Sequence, residues 1–358
     1  MHNPNIHTSI IDLEHAISHT SDDNTITANY IDEEFYFQSN PKPSYLNQLI
    51  DTTKKFLSAT ENENNKKRVV LVTSGGTTVP LENNTVRFID NFSAGTRGAS
   101  SAEQFLFQGY RVIFLHREFS LTPFNRFFTH STETTFLDYF TQGGTSINPQ
   151  FQKKIIEQKK LYDTYKDNLL MLPFTTVNQY LWSLKALATL LNNKFCLFYL
   201  AAAVSDFYVP FNRLPKHKIQ SQVENNYNNS LNNNSATNND GKLILDLDPV
   251  PKFLRRLVES WASQAMIVSF KLETDSSILI KKAVQALKKY NHQLVIGNML
   301  QTRNKEVVFV SENSNSNNND NDINVEWIRI NDSNKEVIEA LIIPAVIEHH
   351  TQWIALQN

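Results

Sequence analysis

The sequence predicts an α/β protein with a Rossmann-like, doubly wound and mostly parallel sheet, and three observations predict it. Short β-branched runs alternate with amphipathic helical stretches along most of the chain. Residues 68–115 read strand, glycine-rich loop, helix and strand, which is the order of a βαβ unit. Only 9 of the 358 residues are glycine, and four of them (Gly75, Gly76, Gly95 and Gly98) fall within this unit. Such concentration predicts close backbone approach or positive φ at that place.

The length of 358 residues fits two domains, or one large domain with insertions. We interpret residues 1–66, which are polar with some helical pattern, as an N-terminal helical extension. Residues 67–350 then form one large domain. Two Asn-rich tracts, at 221–241 and 311–324, lack the apolar residues that offset the entropy of ordering, so they are predicted to be disordered insertions.

The first βαβ unit is defined by three segments. Residues 68–73 are a continuous β-branched run, which is typical of a strand buried on both faces. Residues 98–108 have helical apolar spacing and stop at Gly109, a natural C-terminal cap. Residues 110–115 form the next buried strand. A βαβ unit implies a parallel sheet.

The same alternation returns in the second half of the chain. Apolar spacing predicts strands at 195–200, 266–270, 294–296, 306–310 and 325–330, and helices at 252–264, 276–290 and 333–350. Ligands of doubly wound sheets bind where the strands end at their carboxyl edge. The segments that begin at Ser74, Ala201, Lys271 and Gly297 are therefore the places to search for a site.

Composition excludes several classes of function. The formal net charge is −2, so binding to nucleic acid or to a membrane through bulk charge is not expected. The longest apolar run, residues 195–204, is far shorter than the ~20 residues that span a bilayer. A single cysteine, Cys196, excludes an internal disulfide and indicates a core residue in a reducing compartment. We expect a cytoplasmic protein, with access to the nucleus left open.

The first edge carries Gly75 and Gly76 between hydroxyl side chains, directly after a predicted buried strand. Such a pair can turn backbone N–H groups toward an anion, usually a phosphate. A plain tight turn is the alternative. Neither the dinucleotide fingerprint nor the P-loop pattern is present.

Residues 87–98 place an amide, a hydroxyl, two glycines and two arginines before a helix. A helix N-terminus supplies free N–H groups and a partial positive charge, and Gly95 and Gly98 would let phosphates approach the backbone. Asn91 offers a neutral donor for a carboxylate. The alternative is a capped helix with a solvated arginine pair.

The other edges carry single polar or aromatic candidates. Asp206 follows a predicted buried strand, where an acid is costly without a partner, although it could simply cap a helix. The basic loop, residues 210–220, could close over a phosphorylated substrate or be a solvated loop. Phe270 could pack on a base or fill the core. The histidines at 349 and 350 are interpreted as surface residues, and no His/Cys cluster has zinc spacing.

Four segments in the same order resemble one enzyme family. Residues 72–98, 202–207, 217–221 and 268–275 are similar to those of eukaryotic phosphopantothenoylcysteine synthetase, also called phosphopantothenate–cysteine ligase. The resemblance covers roughly residues 40–350 apart from the Asn-rich tracts. Because four separate motifs agree in order, the resemblance is specific.

The resemblance implies a Rossmann-like fold, a homodimer and a reaction of coenzyme A biosynthesis. In that family 4′-phosphopantothenate attacks the α-phosphate of a nucleoside triphosphate and releases pyrophosphate. The amine of L-cysteine then attacks the acyl nucleotide, which forms an amide and releases the nucleoside monophosphate. The co-substrate is ATP or CTP, and Mg²⁺ would arrive on the triphosphate rather than in a protein cage. Residues of one subunit can serve the neighbour's site.

The resemblance also implies roles for particular residues. The implied nucleotide-binding residues are Gly75, Ser93, Gly95, Gly98, Phe270 and Asn298. The implied phosphopantothenate-binding residues are Asn91, Ala202, Ala203 and Asp206. The two implied catalytic residues are Asn91, oriented to the reacting carboxylate and acyl phosphate, and Lys218, which stabilises the transition state of the second step.

The sequence departs from the family pattern in two places. Bacterial relatives carry a lysine-rich basic loop, which is thinned here to residues 216–220, and they lack Lys271. Residues 1–66 are too short for the flavin-dependent decarboxylase to which bacterial enzymes are often fused. Two alternatives stay open: a nicotinamide-dependent oxidoreductase on the same fold, disfavoured by the missing glycine fingerprint, and a non-catalytic nucleotide-binding subunit.

Overall fold

The computed structural model describes residues 33–59, 67–129, 134–220, 242–312, 323–330 and 337–357. The predicted insertion at 221–241 lies outside the described residues, as do residues 313–322 of the second predicted tract. The predicted bounds of that second tract are too wide, because Ser311 pairs with Asn324 in two antiparallel strands. The polar composition predicted disorder there, but strand pairing supplies backbone hydrogen bonds that order both ends of the tract.

The strands described fall into one large sheet and two small two-stranded sheets, of which the β2–β3 pair is a hairpin. In chain order they are β1 (Val69–Ser74), β2 (Thr78–Pro80), β3 (Phe88–Asp90), β4 (Arg111–Arg117), β5 (Leu169–Phe174), β6 (Cys196–Leu200), β7 (Phe207–Tyr208), β8 (Asp248–Pro249), β9 (Met266–Glu273), β10 (Leu294–Met299), β11 (Glu306–Glu312) and β12 (Ile323–Arg329). The large sheet has eight strands in the order β12-β11-β10-β9-β6-β1-β4-β5. Pairing is parallel from β10 to β5, and the β10–β11 and β11–β12 pairs are antiparallel. The predicted mostly parallel sheet is confirmed.

Helices cover both faces of this sheet. They are α1 (described over residues 33–39), α2 (Leu46–Ser58), α3 (Thr96–Phe107), α4 (Pro149–Tyr165), α5 (Val177–Leu190), α6 (Phe253–Arg256), α7 (Ser276–Tyr290) and α8 (Glu339–Leu356). Alternate residues of β1 show the two layers, since Val70 packs with α3 and α8 while Leu71 packs with α5. Helices on both faces of a parallel sheet define the doubly wound architecture.

Two parts of the fold differ from the sequence prediction. The edge strand β5 was not predicted, and Pro173 within it is tolerated because a proline can occupy an edge strand. The helix predicted over 252–264 is regular only in α6 and continues as a π-helical turn over Leu257–Trp261. That turn carries Trp261 to within ring contact of Phe37 and Phe253.

His292 and His350 are buried inside the molecule, and the prediction of a surface position for His350 is wrong. His350 is fully buried; its Nδ1 lies 2.8 Å from the Tyr110 hydroxyl and its Nε2 lies 3.1 Å from the Lys194 carbonyl oxygen. His292 is also buried, and its Nε2 lies 2.7 Å from Ser269 Oγ. Burial lowers the pKa of each histidine to about 4.

Stability should therefore fall in mild acid. The unfolded chain protonates each histidine near pH 6.5 while the folded protein resists until about pH 4, so acid favours unfolding between these values. Each histidine should cost about 1.4 kcal/mol of unfolding free energy per pH unit in that window. Urea unfolding of the wild type and of His350→Gln from pH 7 to pH 4.5 measures the slope. A slope that His350→Gln leaves unchanged would contradict the assignment.

Candidate functional site

The strand order reverses between β1 and β6, and the loops that follow these strands are bonded to each other. The Ala203 N–H donates to the Gly75 carbonyl oxygen at 2.8 Å, and the Thr77 N–H donates to the Ala203 carbonyl oxygen at 3.0 Å. The Ser205 N–H also donates to Thr77 Oγ1, at 2.9 Å. A reversal of strand order opens a crevice at the carboxyl edge of an α/β sheet. The segments predicted to carry a site after Ser74 and Ala201 therefore line the same crevice.

Asn91 is held at this crevice by close packing of its main chain. Its N–H donates to the Thr77 carbonyl oxygen at 3.1 Å, as the chain leaves the β2–β3 hairpin. A Cβ atom placed on Gly76 would lie only 1.6 Å from the Asn91 carbonyl oxygen, so no side chain fits at position 76. The structure thus brings together Gly75, Asn91 and Ala203, to which the family resemblance assigns two different ligands.

The N-terminus of α3 faces the same loops. Gly95, the N-cap, has a φ of +83°, and its carbonyl oxygen accepts a hydrogen bond of 3.2 Å from Ser74 Oγ. A Cβ atom on Gly98 would lie 2.3 Å from Ser74 Oγ. The first turn of α3 carries no acidic residue. No side-chain hydrogen bond caps this helix, and its N–H groups and partial positive charge can attract an anion.

The remaining predicted nucleotide residues lie beside the N-cap of α3 and on the strands β9 and β10. Ser93 Oγ accepts a weak hydrogen bond of 3.4 Å from the Gly95 N–H. Phe270 lies at the carboxyl half of β9, half-buried, with its ring 5.0 Å from that of Tyr199. Asn298 lies on the neighbouring strand β10 and is buried. Phe270 fills part of the core and still presents a partly open ring, so both interpretations of it stand.

The arginines of the predicted motif are engaged with protein groups, which the sequence did not reveal. Arg97 donates to Glu339 at 2.8 Å and to the Arg303 carbonyl oxygen. It therefore ties α3 to the start of α8 and to the turn after β10. Arg87 pairs with Glu82 at 2.9 Å. Neither arginine is the solvated side chain of the alternative interpretation.

Asp206 differs from its expected environment. The sequence predicted a costly buried acid, but the Asp206 side chain is 77% exposed, and its Oδ1 lies 3.5 Å from Lys252 Nζ. The chain has left the sheet at Leu200, so the strand does not bury the carboxylate. Among the described residues no cluster of three His, Cys, Asp or Glu side chains could hold a metal ion.

Lys218 is exposed and lies apart from the crevice. Its neighbour Ile219 is bonded to Glu82, at the turn of the β2–β3 hairpin, whereas Asn91 follows the opposite end of that hairpin. Within the described parts of the chain, no contact joins Lys218 to the other predicted site residues.

The fold and the crevice define a doubly wound α/β protein with a candidate site at the carboxyl edge of its sheet, and comparisons identify its family. Residues 65–136 match the C-terminal domain of the DNA/pantothenate metabolism flavoproteins. The phosphopantothenate–cysteine ligase CAB2 of Saccharomyces cerevisiae is 58% identical over 99% of this chain and 96% of its own. The human phosphopantothenate–cysteine ligase is 39% identical over 82% of this chain and 89% of its own.

A solved structure agrees with these relatives. A Cab2 variant in complex with phosphopantothenate-cysteine superposes with a TM-score of 0.80 and 60% identity, covering 90% of this chain and 99% of that chain. The chain belongs to the phosphopantothenate–cysteine ligase family. The family and the fold class expected from the sequence are confirmed, and the oxidoreductase alternative is set aside. No helix among the described residues is both long and apolar enough to cross a bilayer.

Proposed function

We propose that this chain joins 4′-phosphopantothenate to L-cysteine in two steps, through an acyl nucleotide, and so serves coenzyme A biosynthesis. One observation carries the proposal: Gly75, Asn91 and Ala203 meet in one crevice beside the N-terminus of α3. A triphosphate and an organic acid can therefore lie next to each other there. Family membership supplies the identity of the organic acid and of the amine.

The triphosphate is proposed to lie across α3 and the neighbouring strand ends. Gly75, Ser93, Gly95 and Gly98 would present main-chain N–H groups and a hydroxyl to the phosphates. The glycines let these loops pack closely, because a Cβ atom on Gly75 or Gly98 would clash with Arg117 or Ser74. Phe270 and Asn298 would contact the nucleoside. Either ATP or CTP fits this proposal. Mg²⁺ would be carried by phosphate oxygens and would offset their charge, because no protein carboxylate cluster is formed among the described residues.

Asn91 would act in the first step. Its amide group can donate to the carboxylate of phosphopantothenate without adding charge, which leaves that carboxylate nucleophilic toward the α-phosphorus. After pyrophosphate leaves, the same donor can contact the acyl phosphate. Ala202 and Ala203 would let the substrate lie against the backbone, and Asp206 would accept a hydrogen bond from its polar groups. The second step needs a donor for the oxyanion that forms when the cysteine amine attacks.

A homodimer is part of the proposal. Phe92 is 83% exposed and Phe119 is 90% exposed, and both flank the crevice. Phe119 precedes Ser120, whose Cβ lies 3.3 Å from the Cβ position of Gly95. Exposed aromatic groups around a site favour contact with another chain. A second subunit could also bring its own Lys218 to this crevice. The buried Cys196 supports a reducing, cytoplasmic location.

Pyrophosphate release tests the proposed reaction. The purified chain is incubated with 4′-phosphopantothenate, L-cysteine, Mg²⁺ and either ATP or CTP, and pyrophosphate is followed. We expect release that requires 4′-phosphopantothenate, and the faster nucleotide identifies the base preference. Silence with both nucleotides would overturn the proposal and favour a non-catalytic nucleotide-binding subunit.

Lys218→Ala should slow the second step more than the first. Removing the ammonium group takes away a stabilising charge from the oxyanion, and one such group is worth roughly a hundredfold or more in rate. Rapid-quench analysis should show that the acyl nucleotide accumulates while amide formation slows. Lys216→Ala, a change of the same type two residues away, is the matched control. Equal rates in Lys218→Ala and the wild type would show that the loop is solvated charge.

A further inference from the structure

Glu82 is a fully buried carboxylate that the proposed reaction does not use. Its side chain has no exposed area. Oε2 accepts hydrogen bonds from the backbone N–H groups of Val86 and Arg87, at 3.1 and 2.8 Å. Oε1 accepts from the Arg87 guanidinium at 2.9 Å and from the Ile219 N–H at 3.3 Å. Four donors thus converge on one carboxylate, and one of them belongs to the basic loop.

The basic loop is fastened on both sides of Lys218. The Asn83 N–H donates to the Pro215 carbonyl oxygen at 2.9 Å, before the lysine. After the lysine, the Ile219 N–H donates to the Glu82 carboxylate. The Ile219 carbonyl oxygen accepts a hydrogen bond of 3.1 Å from the Arg87 guanidinium. The lysine side chain itself is exposed. Its backbone is therefore fixed to the turn of the β2–β3 hairpin while its ammonium group stays accessible.

The Glu82 carboxyl is held in its ionised form. Burial by itself would raise its pKa, but the hydrogen bonds from Arg87, Ile219 and Val86 outweigh burial and lower it. Every group that faces the two oxygens is a donor. A glutamine at this position would point its own NH₂ group at some of these donors, so it could not replace all four bonds.

We propose that Glu82 is a positioning residue, which holds the backbone of the basic loop so that Lys218 can reach the reacting acyl nucleotide. The inference rests on the proposed role of Lys218. It predicts that Glu82 acts on the second step through the lysine, in addition to stabilising the hairpin turn. Loss of a residue with a purely structural role would instead lower the rates of both steps or of neither.

The test begins with Glu82→Gln. Hydrogen–deuterium exchange should rise in the peptide that contains the Ile219 amide, and amide formation should slow by roughly tenfold to a hundredfold while acyl nucleotide formation changes less. Ile219→Pro removes the backbone N–H that donates to Glu82 and keeps the buried carboxylate. It is therefore the second test variant if Glu82→Gln folds poorly. Glu306→Gln, which breaks an ion pair between β11 and Arg329 of β12, is the matched control and should change neither step.

A double-mutant comparison separates the role of Lys218 in the second step from the positioning role of Glu82. In a Lys218→Ala background, Glu82→Gln or Ile219→Pro should slow the second step no further, because the group that they position is gone. A full additional loss in that background would overturn the inference, as would unchanged exchange of the loop in both variants. If Lys218→Ala alone has wild-type rates, the proposed role of the lysine fails and the inference fails with it, whereas pyrophosphate release still reports on the ligase reaction.

Discussion

Gly76→Ala is expected to abolish most of the ligase activity. The added Cβ atom would lie 1.6 Å from the Asn91 carbonyl oxygen and 2.8 Å from its carbonyl carbon, so the backbone must move. Overpacking of this kind costs about 1–3 kcal/mol of stability. Displacement of Asn91 by about 1 Å should reduce turnover by roughly a hundredfold. Pyrophosphate release at saturating substrates, with unfolding measured in parallel, checks both effects.

Gly109→Ala provides a matched control for the loss of a glycine. Gly109 has a φ of +81° and ends α3 far from the crevice, and nothing lies within 4 Å of its Cβ position. Alanine there should cost about 1–2 kcal/mol through backbone strain and leave the rates unchanged. If Gly76→Ala turned over substrate like the wild type, the close packing between Gly76 and Asn91 would not hold the site.

The parts of the fold that the sequence predicted are those with a strong local signal. β1 is buried on both faces along its length and β9 over its first half. α7 has its predicted bounds because its amphipathic spacing and its cap at Asp275 agree. The glycine loops were also predicted, since scarce glycines mark positions such as Gly95, where φ is positive. By contrast, β5 carries a proline that only its edge position explains.

The parts that could not be predicted depend on contacts between distant segments. Arg97 pairs with Glu339, which is distant in sequence, and no local sequence pattern predicts that ion pair. The exposure of Asp206 depends on where the chain leaves the sheet. His350 is buried because Tyr110 and Lys194 offer it hydrogen bonds. The resemblance to a family named the site residues, but it could not say that Lys218 lies apart from Asn91.

Asn91→Ala is expected to slow formation of the acyl nucleotide by roughly a hundredfold to a thousandfold, the usual cost of losing one donor to a reacting oxygen. The backbone should stay in place, because the Asn91 N–H donates to the Thr77 carbonyl oxygen and the Asn91 carbonyl group packs against Gly76. The change therefore removes only the amide. Rapid-quench detection of the acyl nucleotide, with pyrophosphate as a second readout, measures the step directly. Asn84→Ala, an exposed asparagine in the same hairpin, is the control.

Asn91→Asp separates the donor from the shape of the side chain. Aspartate has nearly the same size, but it donates no hydrogen bond when ionised and would face the substrate carboxylate with a like charge. If Asn91 binds that carboxylate, the aspartate should raise the KM for 4′-phosphopantothenate more than alanine does and should not restore the rate. If aspartate instead restored turnover, the group facing Asn91 would be a donor, and the carboxylate would have to lie elsewhere in the crevice.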